Sequence, residues 1–372
     1  MRVLFLSLDA LEGVGGIQRF NRRLIRALGE LAAEGLVEQA ESLSLWDALE
    51  RHSPYQKIWH RGFGRRKPAF VAAAAWTFLR YQPDVVLWGH VLLLPLLPLA
   101  ELLCPKAVHV LLVHGVEVWG DPRYRRAPRW EKALVKRLNA IFSVSQTTAD
   151  YMAQAYGVTK DRFFILPNAI DLCCELRKKQ NNQMSEIRIL SVTRIQRDTY
   201  KGLDIILLAL SRISSQMSVR CVVVGDGELR GYYEDMANKL GISDIVKFVG
   251  KVEDLALDYW YNWADIFILP SVGEGFGIVY LEAWAHGLPV VGAKAGGAAE
   301  IIKHGQTGLL IEPGSVDGLS EAILTLARDP ELRKSLGQAG RALVEAQYTH
   351  EHFRNRLAGL LKAITNAKTC AA

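Results

Sequence analysis

Pro270-Ser271-Val272-Gly273-Glu274-Gly275-Phe276-Gly277-Ile278-Val279-Tyr280-Leu281-Glu282-Ala283-Trp284 reads as a glycine-rich turn leading from a strand into a helix. The run Ile266 to Leu269 before it is short and apolar, as a buried parallel strand is, and Gly277 to Ala285 begins a helix. Such a turn points backbone N–H groups and the positive end of a helix dipole at an anion, for which a diphosphate is the natural guest. Glu282 follows Glu274 by about two helical turns, so the two acids face one ligand at two depths. An ionised carboxylate only accepts hydrogen bonds, which suits the vicinal hydroxyls of a ribose or hexose. Either glutamate alone also reads as a first-turn dipole partner or a surface acid; the glycines crowded around both favour a site.

Outward from this stretch, short apolar runs alternate with longer amphipathic segments, the pattern of parallel sheets with crossover helices. Candidate strands run from Arg2 to Leu8, Val85 to Gly89, Val108 to His114, Ala140 to Ser145 and Phe163 to Leu166, with helices at Ile17 to Glu34, Pro68 to Arg80 and Pro128 to Leu138. A second series has strands near Ile187 to Thr193, Val219 to Val224, Ile245 to Phe248, Ile266 to Leu269, Pro289 to Val291 and Leu309 to Ile311. Its helices lie near Gly202 to Ser214, Leu229 to Leu240 and Gly277 to Ala285. The polar stretch Glu175 to Glu186 suits a linker between the two. The expectation is an α/β protein with two Rossmann-like domains, 1–171 and 187–349, whose parallel sheets face an interdomain cleft. The final amphipathic segment, about 350–372, is expected to pack back on the first domain.

At 372 residues the chain suits two domains. Half of it is hydrophobic, which disfavours disorder. The five cysteines, Cys104, Cys173, Cys174, Cys221 and Cys370, form no metal-type spacing and suit a reducing compartment. No secretion signal opens the chain, and the apolar run Val91 to Leu103 carries Pro95, Pro98 and Glu101 and is shorter than the roughly 18 residues a spanning helix needs. A cytoplasmic protein is expected. The net charge of +6 sits in the first half, where residues 1–180 hold 25 Lys and Arg against 17 Asp and Glu. Arg61, Arg65, Arg66 and Lys67 form one basic cluster, and Arg123, Arg125, Arg126, Arg129, Lys132, Lys136 and Arg137 another. They read equally as a solvated surface or as an attractor of phosphates or an anionic membrane. No nucleic-acid motif accompanies them.

Further candidates stand where strands end. Arg194 closes one strand and Lys201-Gly202 opens the next helix, so a guanidinium fork and an ammonium point charge meet a diphosphate there, or are ordinary surface charge. Gly15 and Gly16 open the first helix, where their amides approach a phosphate or sugar. A dinucleotide fingerprint would place a small residue where Gln18 stands, which weighs against a nicotinamide enzyme. His114 ends an apolar strand as a ligand contact or a buried structural histidine, and Ser145 and Thr148 either cap a helix or touch an acceptor. No Asp-x-Asp pair is present to clamp a metal-bound diphosphate, so no metal and no separate cofactor are expected. Positive charge must then come from Arg194, Lys201 and helix ends.

From the Gly15-Gly16 loop through His114, the Pro167 to Asp171 turn, Arg194, Lys201, Glu274 with Glu282, and Gly296-Gly297 with Glu300, the chain resembles the family 4 glycosyltransferases, retaining enzymes of the GT-B fold. That resemblance implies that Glu282 holds the donor ribose and Glu274 meets the sugar. Arg194 and Lys201 would bind the diphosphate, with help from Gly275, Phe276, Gly277, Ile278 and Val279, and His114 would sit beside the sugar. It implies metal-independent hexosyl transfer from a UDP- or GDP-sugar to a glycan or lipid-linked acceptor in envelope or exopolysaccharide synthesis. Such a protein would be peripheral on the inner face of the membrane, where Trp59, Phe63, Trp76 and Phe78 accompany the basic residues. Two departures from the family pattern are Thr193-Arg194-Ile195, with Asp198-Thr199-Tyr200 before Lys201, and Ala169 in the domain-ending turn. The rival expectations are a sugar-nucleotide epimerase of similar fold, a nicotinamide oxidoreductase and a non-catalytic membrane-binding module.

Overall fold

The computed structural model describes residues 1–13, 15–49, 54–122, 124–172, 186–196 and 199–371. The expected linker up to residue 185, Arg123, Asp198, Cys173 and Cys174 lie outside them. The chain divides into two compact units, Met1–Ala169 with His350–Ala372, and Ile170–Thr349.

In the first unit the strands are β1 (Arg2–Ser7), β2 (Gln39–Ser44), β3 (Ile58–Gly62), β4 (Val85–Trp88), β5 (Val108–Val113), β6 (Ala140–Ser143) and β7 (Phe163–Ile165). They form one sheet of order β3-β2-β1-β4-β5-β6-β7, every pair parallel. The helices are α1 (Gly16–Ala33), α2 (Lys67–Tyr81), α3 (Leu97–Leu103), α4 (Arg129–Val135) and α5 (Gln146–Tyr156). Leu4, Leu6, Val86, Trp88, Leu111 and Ile141 are buried together beneath them. Two strands escape pattern reading. Gln-Ala-Glu-Ser-Leu-Ser in β2 is too polar to read as a buried strand, yet Ser42 and Ser44 are fully buried because β2 pairs on both edges. Their polarity is satisfied across the sheet: Ser44 Oγ donates to the Leu8 carbonyl, and Ser42 Oγ meets His60 Nδ1 at 3.1 Å.

The second unit repeats the theme with β8 (Ile187–Val192), β9 (Val219–Val224), β10 (Val246–Gly250), β11 (Ile266–Leu269), β12 (Val290–Ala293) and β13 (Gly308–Ile311). Its order is β10-β9-β8-β11-β12-β13, again parallel throughout. Around the sheet lie α6 (Leu203–Ile213), α7 (Arg230–Lys239), α8 (Asp254–Trp263), α9 (Ile278–Ala285), α10 (Gly296–Ile301), α11 (Val316–Arg328) and α12 (Pro330–Gln347). The last helix, α13 (His350–Ala371), belongs to the first unit. It packs on α1, with Phe353 edge-on to Phe20 at 5.2 Å and His350 Nε2 2.7 Å from Glu30 Oε2. Strand order reverses once in each sheet, between β1 and β4 and between β8 and β11. In open parallel sheets such a switch point leaves a crevice at the carboxyl ends, because the flanking crossovers depart to opposite faces. Among the described residues no helix is long and apolar enough to cross a membrane.

Candidate active site

The switch point of the second sheet is where the sequence motifs converge. β8 runs out into Thr193-Arg194, and β11 runs out into the Pro270 to Gly277 turn. Lys201, ahead of α6, pairs through Nζ with Glu274 Oε1, both side chains being mostly buried at 16% and 13% exposure. The ammonium also lies 4.8 Å from the ring centroid of Tyr200. Arg194 is exposed and has no ion pair with an acid among the described residues, so its guanidinium is available to an anion. Gly277 caps α9 in the left-handed region at φ 92, and the helix start at Ile278 and Val279 directs its first N–H groups toward the same turn. Glu282, about one turn into α9, is 9% exposed and accepts a 2.8 Å bond from the Tyr261 hydroxyl. Tyr261 in turn stacks on His286, whose Nδ1 lies 2.8 Å from the Glu282 carbonyl. This fixes the carboxylate before any ligand is bound.

Close backbone approach explains the glycines of this site. A Cβ on Gly297 would meet Phe276 Cα at 2.5 Å, and one on Gly296, at φ 55, would meet the Glu274 carbonyl at 2.6 Å. The Gly297 N–H donates to that same carbonyl, so α10 is bolted onto the turn that carries Glu274. A Cβ on Gly273 would strike the Tyr200 ring at 2.3 Å, and the Val272 N–H donates to the Tyr200 carbonyl, tying the turn to Lys201. Gly275, Phe276 and Gly277 are all buried. They shape the turn, and only its backbone is left for a ligand.

The first unit presents a different edge. Asp47 accepts from the N–H groups of Ala10, Leu11 and Glu12 at 3.0–3.4 Å and lies 3.3 Å from His60 Nε2. The His60 hydrogen bond and those N–H donors outweigh burial and hold the Asp47 carboxyl down at about 2. Gly15 and Gly16 do stand at the start of α1, but inside the loop Gln18 Nε2 donates to Asp9 Oδ2 at 2.8 Å, beneath Gly13 and Gly15. A side chain therefore fills the space in which a dinucleotide fingerprint needs a bare backbone. His114 leaves β5 beside His90, which leaves the neighbouring β4. Burial pushes His114 down to about 3 and His90 to about 4, each remaining neutral at pH 7. Glu117 folds the loop behind them, accepting from the His114 and Gly115 N–H groups.

Of the two readings of Ser145 and Thr148, helix capping is the one seen. Both are fully buried; Ser145 Oγ caps α5 by accepting from the Thr148 N–H, and Thr148 Oγ1 accepts from Trp119 Nε1 at 3.2 Å. Within the basic cluster around Arg125 three members hold structural contacts: Arg125 pairs with the fully buried Glu131, Lys132 donates to the Ala155 carbonyl and Arg137 pairs with Glu101, while Arg126, Arg129 and Lys136 are exposed. Among the described residues no group of three or more His, Cys, Asp or Glu is placed to hold a metal ion.

Two family models divide the chain between them: "Glycosyltransferase Family 4" matches residues 14–173 and "Glycosyl transferases group 1" matches 174–343. The chain belongs to the group 1, family 4 glycosyltransferases. It is 28% identical to a GDP-mannose-dependent monoacylated alpha-(1-6)-phosphatidylinositol monomannoside mannosyltransferase of Corynebacterium glutamicum, across 97% of this chain and 98% of that one. It is 29% identical to an uncharacterized glycosyltransferase of Methanocaldococcus jannaschii, the match covering 60% of this chain and 59% of the relative's length. The Anabaena HepE structure in complex with UDP and glucose superposes with a TM-score of 0.77 at 22% identity, covering 97% of this chain and 99% of that one. A sucrose-phosphate synthase from Thermosynechococcus elongatus superposes with a TM-score of 0.76 at 21% identity, covering 98% and 99%. These likenesses show the GT-B fold.

In this chain Asp47, Glu117 and Tyr261, each of which orders a loop or carboxylate described above, escaped the sequence reading, as did His90 beside His114. Asp47 lies 35 or more positions from the N–H groups it binds. No local spacing announces such a residue. His90 had a weak signal, as a polar residue ending the apolar run of β4 just as His114 ends β5.

Proposed function

We propose that this glycosyltransferase moves a hexosyl unit, with retention of anomeric configuration and without a metal, from a UDP- or GDP-sugar to a glycan or lipid-linked acceptor of the cell envelope. One observation carries the proposal: Arg194, the Lys201–Glu274 pair and the start of α9 gather at the switch point of the second sheet, with Glu282 held about one turn further along the helix. Arg194, Lys201 and the α9 dipole take up charge that develops on the leaving diphosphate when its bond to the anomeric carbon breaks. Glu282, oriented by Tyr261, accepts from the ribose hydroxyls, and Glu274 accepts from the sugar. The acceptor oxygen bonds to the anomeric carbon on the face that the diphosphate leaves, and its proton passes to a phosphate oxygen of that group. His114, neutral at working pH, offers a hydrogen bond without adding a charge that would oppose the diphosphate's departure. The C. glutamicum relative, named for GDP-mannose, and HepE, solved with UDP, support a nucleotide-sugar donor.

The same proposal places the protein on the cytoplasmic face of an anionic membrane. Trp59 and Trp76 are 41% and 63% exposed, and Val71 and Leu79 lie open on α2 between Lys67 and Arg80. Phe63 and Phe78 take no part, since both are buried in the core. Equal binding to neutral and anionic vesicles at low salt would remove this part.

The test is a calorimetric panel of UDP, GDP, ADP and NAD on the wild type, Glu282→Ala and Arg194→Ala. One nucleoside diphosphate should bind the wild type, and both substitutions should weaken it. Binding of NAD alone, or no effect of either substitution, overturns the assignment.

A further inference from the structure

We propose that Trp119 and Tyr151 form a subsite of the first unit that stacks on the C–H face of a pyranose ring of the acceptor, which rests on the glycosyl-transfer reading above. The two rings lie 4.9 Å apart, tilted by 41°, with Tyr124 edge-on to Trp119 at 6.3 Å. Tyr151 is 44% exposed and carries the open aromatic surface, while Trp119 is half-buried and backs it from the core, against which it packs.

Its position and stiffness distinguish it from a chance cluster. Trp119 follows His114 by five residues on the loop leaving β5, and that loop is drawn tight by Glu117 and by the Val118 N–H donating to the Gly115 carbonyl at 3.0 Å. The platform therefore stands at the carboxyl edge of the sheet, the edge that bears His114. The indole N–H is anchored to Thr148 Oγ1 of α5, and Tyr151 stands one turn further along the same helix. Gly120, at φ +72, lets the loop approach until a Cβ there would touch Ala155 Cβ at 2.5 Å. Three contacts thus hold loop to helix, and the aromatic faces are set before a ligand arrives.

The surroundings fit a carbohydrate. A pyranose has a face of C–H bonds ringed by hydroxyls, so it wants a flat aromatic surface with polar groups at its edge. The phenol rings of Tyr151 and Tyr124 carry their own hydroxyls, which set polar groups at the edge of the aromatic surface. A bare hydrocarbon chain would leave these groups without use. The burial of Ser145 and Thr148 acquires a purpose here, because they position the indole.

Saturation-transfer NMR on the full chain with methyl α-D-mannopyranoside and methyl α-D-glucopyranoside tests this. Saturation should fall on the ring C–H protons of at least one glycoside. It should drop at least about fivefold in Tyr151→Ala, the scale of one aromatic contact, and persist in Tyr151→Phe. Tyr151 is an exposed helix position, so the alanine variant should fold, and a circular dichroism melt checks that it has. Signal unchanged in folded Tyr151→Ala overturns the platform. Signal lost in Glu282→Ala but kept in Tyr151→Ala places sugar binding in the second unit only, which overturns the platform and leaves the transferase reading standing.

Discussion

The two units share a fold and a kind of crevice, but they build their edges by opposite means. The second unit makes its edge from neighbours in sequence: one turn and one helix start carry Glu274, the N–H groups and Glu282, and glycines bring α10 and the Lys201 segment against that turn. The first unit makes its edge from side chains that reach across the sheet, Asp47 to the Ala10 to Glu12 backbone and Trp119 to Thr148. It also keeps two half-buried histidines uncharged beside each other. A crevice that binds a charged, invariant handle suits backbone and fixed cations. One that selects among neutral hydroxylated rings suits shape, neutral donors and acceptors.

If backbone approach is what builds the second unit, filling it should cost most. Gly225→Val would push a Cβ to 1.8 Å from the Thr193 carbonyl at φ +132, and we expect a loss of about 3 kcal/mol in denaturant unfolding. Gly241→Ala, at φ +66 with nothing within 4 Å, should cost about 1 kcal/mol, which separates crowding from conformational strain. If side-chain reach is what builds the first unit, Asp47→Asn should cost about 1–3 kcal/mol, because a buried ionic acceptor for three N–H groups is weakened. That contribution is present in the wild type above the unfolded carboxyl value of 3.8 and fades as pH falls through about 2.

The histidine pair predicts an effect of its own, confined to acid pH. His114 and His90 are held at about 3 and 4 when folded, against 6.5 when free, so the unfolded chain binds the extra protons between these values. Stability should therefore fall as pH drops below about 6.5, by up to about 1.4 kcal/mol per pH unit for each group. His114→Phe should flatten the slope measured between pH 6.5 and 4.5; an unchanged slope would mean that the imidazole is not held neutral. Smallest of all, Arg194→Ala should move the melting stability by less than about 0.5 kcal/mol, since the side chain is exposed, while donor binding collapses. A stability loss as large as that of Asp47→Asn would make Arg194 a structural residue and blur the contrast between the units.

The same contrast governs how much was legible beforehand. All six strands of the second sheet stand where apolar runs placed them, whereas β2 and β3 of the first were missed. The missed strands carry Ser42, Ser44 and His60, polar residues whose burial is tolerated only because they bond to one another and to Leu8. Phe63 and Phe78 failed as surface residues for a related reason: composition marks an aromatic, but only packing says which side of the helix or strand it faces.

Sequence by itself determined the alternation of strands and helices, and the turn and helix start that carry Glu274 and Glu282. These depend on period, on glycine's missing Cβ and on residues within a few positions of each other. Tertiary structure alone decided that Lys201 meets Glu274 and that Asp47 grips a loop near position 10. It alone decided that Ser145 and Thr148 are buried supports and that Trp119 lies against Tyr151. Each of those pairs partners distant in the chain, and no local pattern encodes a contact whose two halves are brought together only when the sheet closes around its core.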